Sequence, residues 1–212
     1  MRRLLLILLA ISYPLLALAE IPKSPPSALK EIRKRYKEIK TLECSFIESF
    51  QWQLTGETVE RHGTISIGTE NRFRIQTDEQ TIVSDGTVVY RYNKPRNQVM
   101  IEKVESAEAL LPNKILLQFA DQFEASSIAP LKVEGKEGYR LDLTPEDPDK
   151  ALLREATLWV TTADMTVHRI KMVDLNGNST TYTLSSLRFD QPIAPELLKY
   201  TPPTGAEIFD LR

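Results

Sequence analysis

The 212-residue chain has one cysteine, two histidines and eight glycines, and each shortage excludes a class of chemistry. A single thiol, Cys44, allows neither an intramolecular disulfide nor a CxxC metal or redox site, so stability has to come from an apolar core. None of the glycines falls into GxGxxG or GxxxxGK[ST] spacing, which removes the phosphate-cradling loops of nucleotide-binding proteins. His62 and His168 have no HExxH or HxH neighbour, so no metal and no cofactor is expected. Lys and Arg number 27 against 29 Asp and Glu; so even a balance gives no basic face, and no nucleic-acid partner is expected. The nucleophile elbow GxSxG is missing as well. Ser84-Asp85-Gly86 lies between strand-like Ile82-Val83 and Val88-Val89 and reads as a hairpin turn. The acid pairs Glu105/Glu108 and Asp147/Asp149 have no organised partner and read as solvated, so an enzyme is not expected.

Long apolar runs are scarce, with one exception at the start. Arg2 and Arg3 precede Leu4 to Leu16, a run broken by Ser12, Tyr13 and Pro14, and Ala17-Leu18-Ala19 follows. This is the layout of a secretory signal peptide over residues 1–19, too short and too interrupted for a spanning helix. A single exported domain, residues 20–212, is expected to follow cleavage after Ala19. Such a length can bury a sufficient core without disulfides. A lone thiol in an oxidising compartment would form mixed disulfides unless covered, so Cys44 is expected to be buried.

What the chain does have is alternation. Leu29, Ile32, Tyr36 and Ile39 recur at helical spacing and predict a helix over Ser27 to Lys40 with Ser27 as its N-cap. From Leu42 the period becomes two: Leu42, Cys44, Phe46, Phe50, Trp52 and Leu54 share one parity, with Glu48 the one charged residue among them. Glu48 there either marks the mouth of a cavity or joins an edge salt bridge. Alternation recurs over 64–68, 72–77, 81–83, 88–92, 98–103, 132–134, 139–143, 158–162, 166–175 and 180–189. Turn residues punctuate these pieces: Thr55-Gly56, Asp85-Gly86, Gly135 to Gly138, and Asn176-Gly177, which predicts a type I′ hairpin. The fold class expected is mainly β with helices, an incomplete, half-open antiparallel β-barrel of about eleven strands. A second helical pattern, Ser106 to Phe123, is interrupted by Pro112 and supplies Leu110, Leu111, Ile115, Leu116 and Phe119 as a helical lid.

The alternating apolar positions Phe46, Phe50, Trp52, Ile65, Ile67, Phe73, Ile75, Tyr90, Tyr92, Leu141, Leu143, Leu158, Val160, Tyr182 and Leu184 leave two readings open. They pack solidly between sheet and helices, or they line a cavity that accepts an apolar ligand. Periodicity cannot separate the two.

Several segments resemble the outer-membrane lipoprotein carrier proteins, the LolA family. The matching pieces are the amphipathic helix leading into Leu42-Glu43-Cys44-Ser45-Phe46-Ile47-Glu48-Ser49-Phe50, the strand Gly63 to Ile67, the hairpin Ile82 to Asn93, and the tail Tyr200 to Asp210 with its Pro202-Pro203-Thr204-Gly205. The resemblance implies a periplasmic, monomeric carrier with an incomplete barrel and a helical lid. Its expected partners are acylated lipoproteins, an inner-membrane ABC lipoprotein-release complex and an outer-membrane lipoprotein receptor. Many members carry an Arg-Pro pair where this chain has Thr69-Glu70, so no lid-latching role is carried over. The competing expectation is a module with the same half-barrel that senses lipid or lipoprotein rather than ferrying it.

Overall fold

The computed structural model describes residues 21–104 and 122–212. The signal-peptide residues and the lid residues Leu110, Leu111, Ile115, Leu116 and Phe119 lie outside the described residues. Helix α1 spans Pro25–Glu38. Its cap is Ser24 rather than Ser27: the Ser24 hydroxyl accepts from the Ser27 amide at 3.4 Å, while the Ser27 hydroxyl accepts from the Ser24 amide at 3.2 Å. This reciprocal box places the cap three residues before Ser27 and starts the helix at Pro25, with Pro25 and Pro26 in the first turn, where no amide donor is missed.

Among the described residues twelve strands follow, one more than the alternation predicts, in a single open sheet. They are β1 (Leu42–Gln51), β2 (Thr58–Ile67), β3 (Arg72–Thr77), β4 (Gln80–Asp85), β5 (Val88–Asn93), β6 (Gln98–Lys103), β7 (Phe123–Val133), β8 (Lys136–Pro145), β9 (Leu153–Thr161), β10 (Val167–Asp174), β11 (Ser179–Phe189) and β12 (Glu207–Asp210). Their spatial order is β12-β6-β5-β4-β3-β2-β1-β11-β10-β9-β8-β7. All pairings are antiparallel except β12 on β6.

Four local expectations are corrected. The Asn176-Gly177 connection is a hairpin of four residues, not a two-residue type I′ turn: only Gly177 has positive φ, at 85°, and Asp174 Oδ1 accepts from the amides of Asn176 and Asn178. The 132–134 piece is the end of the much longer β7, and β2 begins at Thr58 rather than Thr64. Trp52 and Leu54 fall beyond the end of β1, so its parity stops there.

The two faces of the sheet are covered differently. On one face α1 sets Ala28, Leu29, Ile32 and Tyr36 against Tyr139, Leu141, Leu143, Ala156, Leu158, Val160, Val167 and Ile170 from β8–β10, and all are buried. The Tyr36 hydroxyl accepts from the buried amide of Val167 at 2.9 Å, at the point where α1 crosses the start of β10. On the other face, the segment after β11 runs back across β3–β6. Its 3-10 turn Pro195–Leu198 buries Leu198, and Tyr200 packs on Tyr90 with ring centroids 5.5 Å apart.

Candidate functional site

Helix α1 covers only the β7–β10 side of its face. Beside it, the register brings Cys44, Phe46 and Glu48 of β1 level with Ile65, Gly63 and Arg61 of β2, and Ile65 level with Ile75 of β3. On the far side of β1, Phe46 and Glu48 pair with Leu184 and Tyr182 of β11, and Tyr182 with Ile170 of β10. All of these but Gly63, with Thr77, Glu79, Gln80 and Ile82, line a cavity of about 470 Å³. Ile82 and Ile170 stand five strand spacings apart, ~24 Å on a flat sheet. That both wall one cavity means the sheet bends around it.

Gly63 makes the floor possible. A Cβ there would lie 2.5 Å from Phe46 Cζ and 2.6 Å from the backbone oxygen of Gln76, so only glycine lets the Phe46 ring lie flat across β2.

The walls are apolar and one rim is ionic. Glu48 Oε1 accepts from the Tyr182 hydroxyl at 2.7 Å, and Arg61 Nη1 reaches Glu48 Oε2 at 3.5 Å. Arg61 Nε stands 3.6 Å from Glu79 Oε2. Glu48 therefore stands at the cavity and also pairs with Arg61, across two interior strands rather than at a sheet edge. Burial, reinforced by Glu48, pushes the Tyr182 phenol above its ordinary range, so it remains a hydrogen donor at physiological pH.

Of the sequence-predicted residues, Phe46, Ile65, Ile75, Tyr182 and Leu184 meet in this cavity. Ile67 and Phe73 face the same side but pack beside it with Val89 and Val104. Phe50 continues the floor past Glu48 and meets Trp52 edge-on at 4.6 Å, with Trp52 40% exposed. Leu141, Leu143, Leu158 and Val160 do not line it, because α1 fills the space over them. Tyr90 and Tyr92 alternate with Val89 and Arg91 and point to the opposite face, toward the C-terminal segment. Ile82, Ile170, Arg61, Thr77, Glu79 and Gln80 line the cavity without having been singled out. Glu48 on the apolar parity was the signal that could have found Arg61, its cross-strand partner.

Cys44 is buried at the cavity wall, and burial pushes its thiol up to about 11 from an ordinary value of 9.0. The thiolate is the reactive form, so at pH 8 ionisation alone slows alkylation ~100-fold relative to the unfolded chain. Iodoacetamide labelling should be slow in the native protein, rise steeply toward pH 11 and complete quickly in denaturant. Native labelling at pH 8 as fast as in denaturant would contradict the buried placement.

The geometry is that of an open-sheet protein with one face half filled by a helix and half left as an apolar cavity. Residues 37–201 match the family described as Outer membrane lipoprotein carrier protein LolA, and the chain belongs to that family. An outer-membrane lipoprotein carrier protein of Erwinia tasmaniensis is 24% identical over 207 residues, covering 96% of this chain and 98% of the relative. An uncharacterized protein of Methanocaldococcus jannaschii is 22% identical over 184 residues; the match covers 84% of this chain but about half, 52%, of that longer protein. Among solved structures, an uncharacterized conserved protein from Thermus thermophilus shares the fold with a TM-score of 0.56 at 12% identity, covering 85% of this chain and 98% of the other.

Proposed function

We propose that the protein is a periplasmic carrier that shields the acyl chains of lipoproteins and moves them from the inner to the outer membrane. In this reading it receives cargo from an ABC lipoprotein-release complex and yields it to an outer-membrane receptor. The observation that carries the reading is the apolar cavity of about 470 Å³, within the size range of small-ligand pockets, in a chain of this family. Phe46, Ile65, Ile75, Tyr182 and Leu184 are its acyl-contacting residues. Each acyl CH₂ taken from water is worth about 0.8 kcal/mol, so an unescorted acylated protein would not leave the membrane at a useful rate. Release without fuel follows if the receptor binds the same chains more tightly.

The test is to incubate residues 20–212 with membranes containing a tagged lipoprotein. A soluble one-to-one complex with unaltered lipid is expected. Lipoprotein left wholly in the membrane fraction would overturn the carrier role, and covalently altered lipid would replace it with an enzymatic one.

A further inference from the structure

The cavity walls accept any hydrocarbon, so selection among acylated molecules has to come from the rim. There one guanidinium lies between two carboxylates, giving Glu48, Arg61 and Glu79 a formal charge of −1. Arg61 has five N–H groups, yet among the described residues it makes a single hydrogen bond, the long one to Glu48, and its side chain is 46% exposed. Tyr182 uses its hydroxyl proton on Glu48, which fixes that carboxylate in place. Lys94 donates to the Thr77 carbonyl and is not part of the lining, so Arg61 is the one cation among the described residues that wall the cavity.

Resting on the carrier reading above, we propose that this rim selects acyl chains attached through a neutral ester, whose carbonyl accepts from Arg61, and rejects free fatty-acid anions. An anionic head brought to Arg61 arrives beside Glu48 and Glu79, and two like-charge contacts outweigh one opposite-charge contact when the three groups are equally near. An ester carbonyl takes the same N–H without adding charge. The discrimination is therefore built as much from repulsion as from attraction. The neutral ester is common to a free glyceride and to the diacylglyceryl group on a protein.

The experiment is displacement of the fluorescent apolar probe N-phenyl-1-naphthylamine from residues 20–212 at pH 8 and low salt. The competitors are 1-lauroylglycerol, laurate and a peptide with an S-diacylglyceryl cysteine. Both esters should displace the probe at concentrations at least ~10-fold below laurate. Glu79→Gln should narrow that gap to about threefold or less, and added salt should narrow it too. Arg61→Gln should weaken both esters several-fold more than it weakens the probe, which has no carbonyl to accept from the guanidinium. The relative potency of glyceride and lipopeptide then distinguishes the two sources of the ester. Laurate displacing the probe as well as 1-lauroylglycerol does, or a gap unmoved in the Glu79→Gln protein, would overturn the rim proposal alone. Failure of the probe and every competitor to bind would overturn the carrier reading and this inference with it.

Discussion

Ile75→Trp is expected to weaken binding of an acyl-chain probe at least ~10-fold while shifting Tm by no more than a few degrees. Ile75 stands on β3 opposite Ile65, half-buried, with the cavity as its outlook. A larger ring there grows into open volume instead of into a packed neighbour, so it displaces ligand with little strain. The informative control is Tyr90→Ala. Tyr90 sits on the other side of the same meshwork, against Tyr200, and its loss should leave probe affinity unchanged. Equilibrium titration with a fluorescent acyl probe measures both. Full-strength binding in the Trp variant would place the ligand somewhere other than this cavity.

The second large effect belongs to the other half of the same face. Leu141→Ala should lower the unfolding free energy by about 2–5 kcal/mol, because Leu141 is fully buried in the core that α1 makes with β8–β10 and its loss removes apolar burial and leaves a cavity. Leu54, 97% exposed in the β1–β2 connection, is its counterpart, and Leu54→Ala should change stability by less than about 0.5 kcal/mol. Urea unfolding monitored by Trp fluorescence reads both. Equal effects from the two substitutions would mean that α1 does not cover β8.

These contrasts show what could be read from the chain and what could not. Arg72–Thr77 and Gln98–Lys103 have the boundaries the alternation predicts, since each is a short strand with neighbours on both sides. The early part of β2 was illegible: residues 58–62 pair with β1 alone and are exposed, so no apolar parity marks them. Most of β7 was hidden because it is an edge strand that tolerates Pro130. Strand β12 was hidden because Ile208 and Phe209 remain exposed and their pairing with β6 is carried by the backbone.

At the site, alternation correctly separates two parities but does not say which one faces the cavity. That failed for Tyr90 and Tyr92 because β3–β6 are covered on both faces, by apolar neighbours on one and by the chain's own end on the other. It also could not say that α1 would fill the space over Leu141, Leu143, Leu158 and Val160 and leave that over Ile65 and Ile75. Which part of a curved face a helix occupies depends on long-range docking, here Arg33 to the Phe123 carbonyl and Tyr36 to Val167, and not on any local pattern.

The strand order has a consequence for how the molecule comes into being. Strands β1–β6 zip to their sequence neighbours and so do β7–β11, but among the described residues the sheet joins the two meanders through one ladder, β1 on β11, running from Leu42 against Phe189 to Gln51 against Ser179. That seam runs through the floor of the cavity, so the binding chamber cannot exist in a nascent chain until nearly all of it has been made. Closing so long a loop is slow relative to hairpin formation. Until then, the greasy faces of two half-sheets stand open to water, and to any other greasy molecule that reaches them first.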